Sequence, residues 1–259
     1  MLHMKKYLQN RWGESGLKKG DNILLHSSLK RTFKDMHLMG YNVTALDVLE
    51  SFIDLIGPEG TLLIPTFNFD FNKNIPYDYY STKSQMGTMT EVARVHVDGK
   101  RSVNPVYSFV AFGKNKELFH DIENISWYSN ESPFALVHQL NFKICIIDLS
   151  DNNSMTFVHY CEEINKVPWR IFKNFTGTYT NRNYETSTKT FKGYVRNISK
   201  GIITNVDPAG ELMWEKGIYH GSRPFVGNGL RFVFANDYFN LFNELLNQEK
   251  SRPYYYDVV

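Results

Sequence analysis

The sequence predicts an α/β fold, with helices layered on a mixed sheet and an antiparallel, β-rich section appended at the C-terminal end. Short apolar runs alternate with helical patterns through the first two thirds of the chain, the signature of helices packed on a sheet. Beyond residue 170 the texture turns polar, Thr-rich and aromatic with loose alternation, which suits a hairpin. No internal repeat and no Pro-, Gly- or Ser-rich linker divides the chain, so 1–259 reads as a single domain with a core over 1–170 and a β-rich section over 171–259.

Each element has its own signal. Lys5 to Glu14 reads as a helix stopped by Gly16, and Asn22 to His26 as a buried strand. Thr44 caps a helix in which Leu46, Leu49, Phe52, Ile53 and Ile56 repeat at helical spacing up to Gly57-Pro58. Strand Thr61 to Pro65 follows at once. Thr88 and Glu91 have the spacing of a capping box that opens a short helix. Tyr107 to Phe112 reads as a strand, Ser132 to Leu140 as a helix, Lys143 to Leu149 as another buried strand, and Thr156 to Lys166 as a helix closed by Pro168. Thr178 to Asn197 reads as an antiparallel hairpin, and Asp237 to Asn247 as a closing amphipathic helix.

Composition excludes several classes of function. The 259 residues carry 29 Lys and Arg against 27 Asp and Glu, so there is no basic excess to coat nucleic acid, and any partner is bound at a local site. The apolar runs are far shorter than the roughly 18 residues a membrane helix needs, which excludes a membrane span. The N-terminus offers no apolar signal region, which points to the cytoplasm and makes the N-x-S/T triplets at Asn130 and Asn174 coincidental. Cys145 and Cys161 then read as reduced core thiols, with a reactive thiol at Cys161 as the alternative. Residues 171–259 carry 11 Lys and Arg and 8 Asp and Glu, whereas 1–150 is balanced.

The most informative cluster is Thr156-Phe-Val-His159-Tyr-Cys-Glu162-Glu163. On a helix, Glu162 or Glu163 shares a face with His159 and can hold one ring nitrogen while the other stays free, which is how a general base is oriented. The bland alternative is a surface or satisfied core histidine. A zinc site of the H-x-x-E-H type lacks its second His, and Gly99-Lys100-Arg101-Ser102 lacks the earlier Gly of a phosphate loop, so no metal is expected and a P-loop kinase is rejected. His26-Ser27-Ser28-Leu29-Lys30-Arg31 follows a strand, at the end where open sheets place ligands. Ser84-Gln-Met-Gly87-Thr88 sets a hydroxyl and exposed backbone amides before a helix, where an oxyanion could be held.

Together these strings resemble, in order and spacing, the aminoglycoside 3-N-acetyltransferase family of CoA-dependent N-acyltransferases. Gly20-Asp-x-Ile-Leu-Leu-His26-Ser-Ser-Leu looks like the first block and Gly57-Pro-Glu-Gly-Thr-Leu-Leu-Ile-Pro-Thr66 like the second. Ser84-x-Met-Gly87 and Gly99-x-Arg101-Ser102-x-x-Pro105-x-x-Ser108-x-x-Ala111-x-Gly113 resemble the third, and Ser132-Pro133-Phe134 with the helix Thr156-x-x-His159-x-x-Glu162 completes the order. The likeness covers about 13–170, with a weaker echo from Pro208 to Leu246. The resemblance implies an acyl-CoA co-substrate, acetyl-CoA or another acyl-CoA, and an amino-sugar acceptor. It makes His159 the base, held by Glu162, and has Ser27, Ser28, Leu29, Arg101 and Ser102 grip the pantetheine arm. Ser84 becomes the oxyanion support, and Lys30 or Arg31 is extrapolated to meet a CoA phosphate. Residues 1–170 would then be the CoA-binding and catalytic core, and 171–259 the acceptor side.

Two departures bear on the acceptor. Asn104-Pro105 stands where the family commonly has His-Pro, and Thr32 to Met39 replaces a Gly-rich stretch of the resistance enzymes. The shortened loop, altered C-terminal section and its basic balance look more like relatives that acylate nucleotide-linked amino-deoxysugars for surface polysaccharide; an aminoglycoside 3-N-acetyltransferase conferring antibiotic resistance is the alternative. A serine hydrolase using Ser84 and His159, and a non-catalytic CoA-binding module, are the readings from other classes. A homo-oligomer is compatible with all of them.

Overall fold

A computed structural model of the protein describes residues 2–258. The chain runs α1 (Leu2–Gly13), β1 (Asn22–Ser27), α2 (Lys30–Leu38), α3 (Ala45–Ile56), β2 (Thr61–Pro65), β3 (Tyr77–Asp78), α4 (Thr88–Val95), β4 (Lys100–Arg101), β5 (Phe109–Gly113), α5 (Lys116–His120), α6 (Pro133–Gln139), β6 (Lys143–Ile147) and α7 (Val158–Ile164). It continues through β7 (Arg170–Thr180), β8 (Thr186–Arg196), β9 (Ile202–Thr204), α8 (Asp207–Glu215), β10 (His220–Gly221), β11 (Leu230–Phe234), α9 (Ala235–Leu246) and β12 (Tyr256–Val258).

Seven strands form a mixed sheet in the order β10-β11-β6-β1-β2-β5-β4. The central pairs β6·β1 and β1·β2 are parallel and their outer neighbours antiparallel. Side chains of a strand point alternately to opposite faces, and here both faces are covered. Leu24, Ile144 and Ile146 join one core, with Phe157, Phe134 and Phe242, while Ile23, Leu25, Cys145 and Ile147 join the other, with Trp12, Leu49 and Phe52. That double burial explains why β1 and β6 read as uninterrupted apolar runs. Lys143 opens β6 without disrupting it, because its ammonium meets the Asp21 carboxylate at 2.7 Å and the Gly16 carbonyl at 2.9 Å.

The helix over 45–56 forms as expected: the Thr44 hydroxyl accepts from the Asp47 backbone N–H, and the Asp47 carboxylate accepts from the Thr44 backbone N–H. Only part of the apolar repeat is buried, since Leu46 faces solvent. The capping box expected of Thr88 and Glu91 does not form. Gly87, at φ 115°, takes the N-cap position, so Thr88 already lies inside the helix. Glu91 accepts instead from the Ser84 backbone N–H and binds Arg94. The hairpin β7–β8 is longer than its alternation suggested, beginning at Arg170, and β3 pairs with it in a separate three-stranded sheet. The segment after residue 170 also supplies β10 and β11 to the main sheet, because Leu230, Phe232 and Val233 bury against strand and helix on either side. The helices α2 and α8 lie where no helix was expected. Asp207-Pro208 is a start signal for the second, whereas the first takes shape by burying Thr32 and Met36.

Cys145 and Cys161 are buried in different cores and both are free, and burial raises both thiols above their ordinary range. His26 on β1 is buried with its Nε2 unpartnered, and burial lowers its pKa to about 4. In the unfolded chain the ring titrates near 6.5, so between pH 6.5 and 4 the unfolded state binds a proton that the native state does not. Stability from this group is therefore lost as pH falls through that window, by about 3 kcal/mol. Urea unfolding at pH 7 and pH 4.5 should show the loss in the wild type and a smaller one in His26→Asn, and equal losses would contradict the assignment.

Candidate active site

The sheet places its ligand-facing turns by topology. From β1 the chain moves to β2 on one side, and β6 lies on the other, so the carboxyl ends of β1 and β6 border the crevice where open sheets bind ligands. Both candidate turns rise there: Ser27 to Lys30 after β1, and the loop 148–157 after β6, joined where the Ser28 N–H donates to the Ile147 carbonyl at 2.9 Å.

His159 sits in the first turn of α7, over the buried ring of Tyr128 (centroids 5.4 Å apart), with its side chain 22% exposed. Glu162, one turn on and 2% exposed, has Oε2 at 2.7 Å from His159 Nδ1, and its Oε1 accepts from Trp169 Nε1–H at 3.0 Å. Arg170, the first residue of β7, completes the cluster: its Nε lies 2.6 Å from the same carboxylate oxygen, and its terminal nitrogens donate to the Tyr194 carbonyl and the Thr204 hydroxyl. One of those nitrogens is also 2.8 Å from His159 Nδ1. Nδ1 can hold either a hydrogen for Glu162 or a lone pair for Arg170. The arginine has Thr204 as another acceptor, so the hydrogen belongs on Nδ1, directed at the carboxylate. That leaves Nε2 with no hydrogen-bond partner among the described residues.

The electrostatics agree. Burial opposes charge on Glu162 most strongly, yet Arg170, His159 and Trp169 together bring its pKa down to about 2, so it is ionised. For His159, burial first and the Arg170 charge second lower the pKa below 6.5, against the pull of Glu162. The imidazole is thus neutral at pH 7 and able to accept a proton. An NMR titration should place the His159 midpoint below 6.5; a value at or above 6.5 would mean the carboxylate dominates and Arg170 does not oppose it.

Around His159 opens a cavity of about 390 Å³ whose lining includes Asn152, Ser154, Thr156, Arg170, Arg196 and Thr204. Neither Asp nor Glu lines it. A second cavity, of about 300 Å³, is lined by Ser27, Ser28, Leu29 and Lys30 on one side and by Met86 to Thr90 on the other, with Phe33 and Leu149. The expected residues of the Ser27 to Lys30 turn are therefore together, with Lys30 exposed. Arg31 is not free for a phosphate, since it forks onto the Asp148 carboxylate at 2.9 and 3.1 Å and reaches the Gly227 carbonyl.

The remaining expected residues lie elsewhere. Arg101 donates to the Tyr79 and Thr82 carbonyls and to the Ser108 hydroxyl, and Ser102, 1% exposed, bonds Phe109 across β4 and β5; neither lines the Ser27 cavity. Ser84 shares its hydroxyl with Thr90 at 2.7 Å and accepts from the Met86 N–H, so it braces the turn into α4, and no hydrogen bond among the described residues joins it to His159. A serine–histidine pair is not assembled, which removes the geometry a serine hydrolase needs. Arg170, Trp169 and Arg196 were not singled out by sequence. They are brought to the site from the hairpin and the turn before it, and no helical spacing links them to His159.

The family model described as aminoglycoside 3-N-acetyltransferase matches residues 24–228. The SPbeta prophage-derived aminoglycoside N(3')-acetyltransferase-like protein YokD of Bacillus subtilis (strain 168) is 27% identical over 183 residues, covering 61% of this chain and 64% of that protein. Aminoglycoside N(3)-acetyltransferase IV from Salmonella sp is 25% identical over 166 residues, covering 62% of this chain and 59% of that protein. The matched stretch thus spans less than two thirds of either relative. Among solved structures, AAC-IIIb in binary complex with CoASH superposes with a TM-score of 0.78 at 17% identity, covering 93% of this chain and 95% of that one, a likeness of fold. Because the family match runs unbroken from the strand before the Ser27 turn, through His159 and the hairpin that carries Arg170, and takes in well over half the chain, the protein belongs to the aminoglycoside 3-N-acetyltransferase family.

Proposed function

We propose that the protein is an acyl-CoA-dependent N-acyltransferase whose acceptor is the amine of a nucleotide-linked amino-deoxysugar. The observation that carries the acceptor is the cavity at His159. A polycationic drug needs carboxylates, yet the lining offers two arginines and no acid; Glu162 is buried behind His159 and neutralised by Arg170, and Asp207 stands outside the lining, accepting from the Asn152 backbone N–H. Arg196, exposed at the cavity, suits an anionic substrate.

The residues support a direct transfer. His159 Nε2 accepts the proton from the attacking amine, and Glu162 stabilises the imidazolium as it forms. Arg170 keeps the carboxylate ionised and the ring neutral until then. The narrow Ser27 to Lys30 cavity, part apolar and part hydroxyl and backbone, has the chemistry of a pantetheine site. The acyl-CoA supplies the activated thioester.

Incubation with acetyl-CoA and either a nucleotide-linked 4-amino-deoxysugar or a kanamycin-type drug, followed by thiol release, should give higher kcat/KM with the sugar nucleotide. Turnover with the drug alone would favour the second reading, an aminoglycoside acetyltransferase, which the names of the relatives suggest. CoA binding without turnover on either acceptor would indicate a binding module.

A further inference from the structure

A second buried ion pair lies beside the site and takes no part in the proton chemistry above. Asp151, in the loop after β6, is 8% exposed, and its Oδ2 lies 3.2 Å from a terminal nitrogen of Arg231, which is fully buried on β11. The Tyr219 hydroxyl donates to Oδ1, and the centre of its ring lies 5.2 Å from the Arg231 guanidinium. Arg231 also donates to the Leu149 carbonyl at 2.8 Å. Helix α8 sets Gly210 against the same carboxylate, so closely that a Cβ there would come within 2.2 Å of Oδ2. Burial pushes the Asp151 carboxyl up, against the Arg231 charge and the Tyr219 hydrogen bond.

Apolar residues of similar volume often stabilise a fold as well as a buried ion pair does. What a satisfied polar network adds is a fixed geometry, and here the geometry is that of the loop on which Asp151 stands. The Asp151 backbone carbonyl accepts from the Ser154 and Met155 N–H groups at 3.1 and 2.8 Å. The next five residues, Asn152 to Thr156, all line the cavity at His159, whereas Asp151 does not. The far end of the loop passes into α7, where the Thr156 carbonyl accepts from the His159 N–H at 3.0 Å. The imidazole is held separately, by Glu162 with Trp169 and Arg170 behind it.

We propose that Asp151, locked between Arg231 and Tyr219, is a positioning residue for the acceptor: it fixes the loop wall of the His159 cavity from outside. Proton transfer depends on other elements, so disturbing the lock should change how the acceptor is held and leave the chemical step in place. The inference deepens the function proposed above and rests on it for the identity of the acceptor.

Tyr219→Phe removes one hydrogen bond to the carboxylate, and Gly210→Ala crowds it without removing a polar group. Both leave the contact of Arg231 with Leu149, and with it the Ser27 cavity, in place. Each should raise the acceptor KM about fivefold or more and keep kcat within about twofold. Hydrogen exchange should quicken at the Ser154 and Met155 amides while β1 and β6 keep their protection. Unaltered exchange at those two amides in both variants would overturn the proposal, and so would exchange quickened across β1 and β6 as well, which marks a general loss of stability. A fall in kcat at unchanged KM would overturn it too, by placing the effect on the chemical step. KM is read on whichever acceptor, sugar nucleotide or drug, the wild type turns over. Should the wild type turn over neither, the function proposed above falls, and exchange at Ser154 and Met155 still decides the anchor.

Discussion

His159→Asn is expected to lower kcat about a hundredfold or more while CoA still binds, because it removes the one group at the site poised to take a proton. Asparagine is uncharged and cannot accept a proton near neutral pH. The sulfur ester needs a neutral attacking nitrogen, so the loss falls on the chemical step. The imidazole is 22% exposed at the cavity wall, so the substitution should leave the fold intact. Thiol release at saturating acyl donor and acceptor gives kcat, and calorimetry with CoA gives the binding control. Near-normal turnover would remove His159 from the mechanism, and loss of CoA binding in step with activity would indicate a structural role instead.

Glu162→Gln should be milder on kcat than His159→Asn and more damaging to stability. The base survives, though the amide loses the charge that orients the ring and supports its protonated form. Arg170, only 8% exposed, loses its carboxylate, and stranding one partner of a buried pair typically costs about 3 to 5 kcal/mol. A Glu162→Gln, Arg170→Met double variant should recover part of that stability, since both charges are then gone, while kcat stays low. Urea midpoints of the singles and the double test this; additive losses would show that the two side chains are not coupled. The same carboxylate shapes acid stability. Its native pKa of about 2 lies below the ordinary 4.5, so its contribution is complete above pH 4.5 and lost as pH falls through about 2.

Local spacing determined a good deal of this protein. The runs that became β1, β2 and β6 were legible because strands buried on both faces need uninterrupted apolar residues. The helix over 45–56 was legible because Thr44 and Gly57 mark its ends. The contact between His159 and Glu162 was legible too, since residues three apart meet on one turn of a helix whatever surrounds it. Tertiary structure decided the rest. Strand β11 and helix α2 take their form from partners far along the chain. Arg170 reaches Glu162 because the turn 165–169 between α7 and β7 brings it, with Trp169, onto the carboxylate, and that contact bears on the protonation of both groups at the site. Arg101, which the family resemblance grouped with Ser27 at the pantetheine arm, lies at the edge of the sheet through the pairing of β4 with β5. Pattern within a few residues reports which faces share a helix or strand, whereas the charge neighbours that tune a proton are chosen by packing between elements.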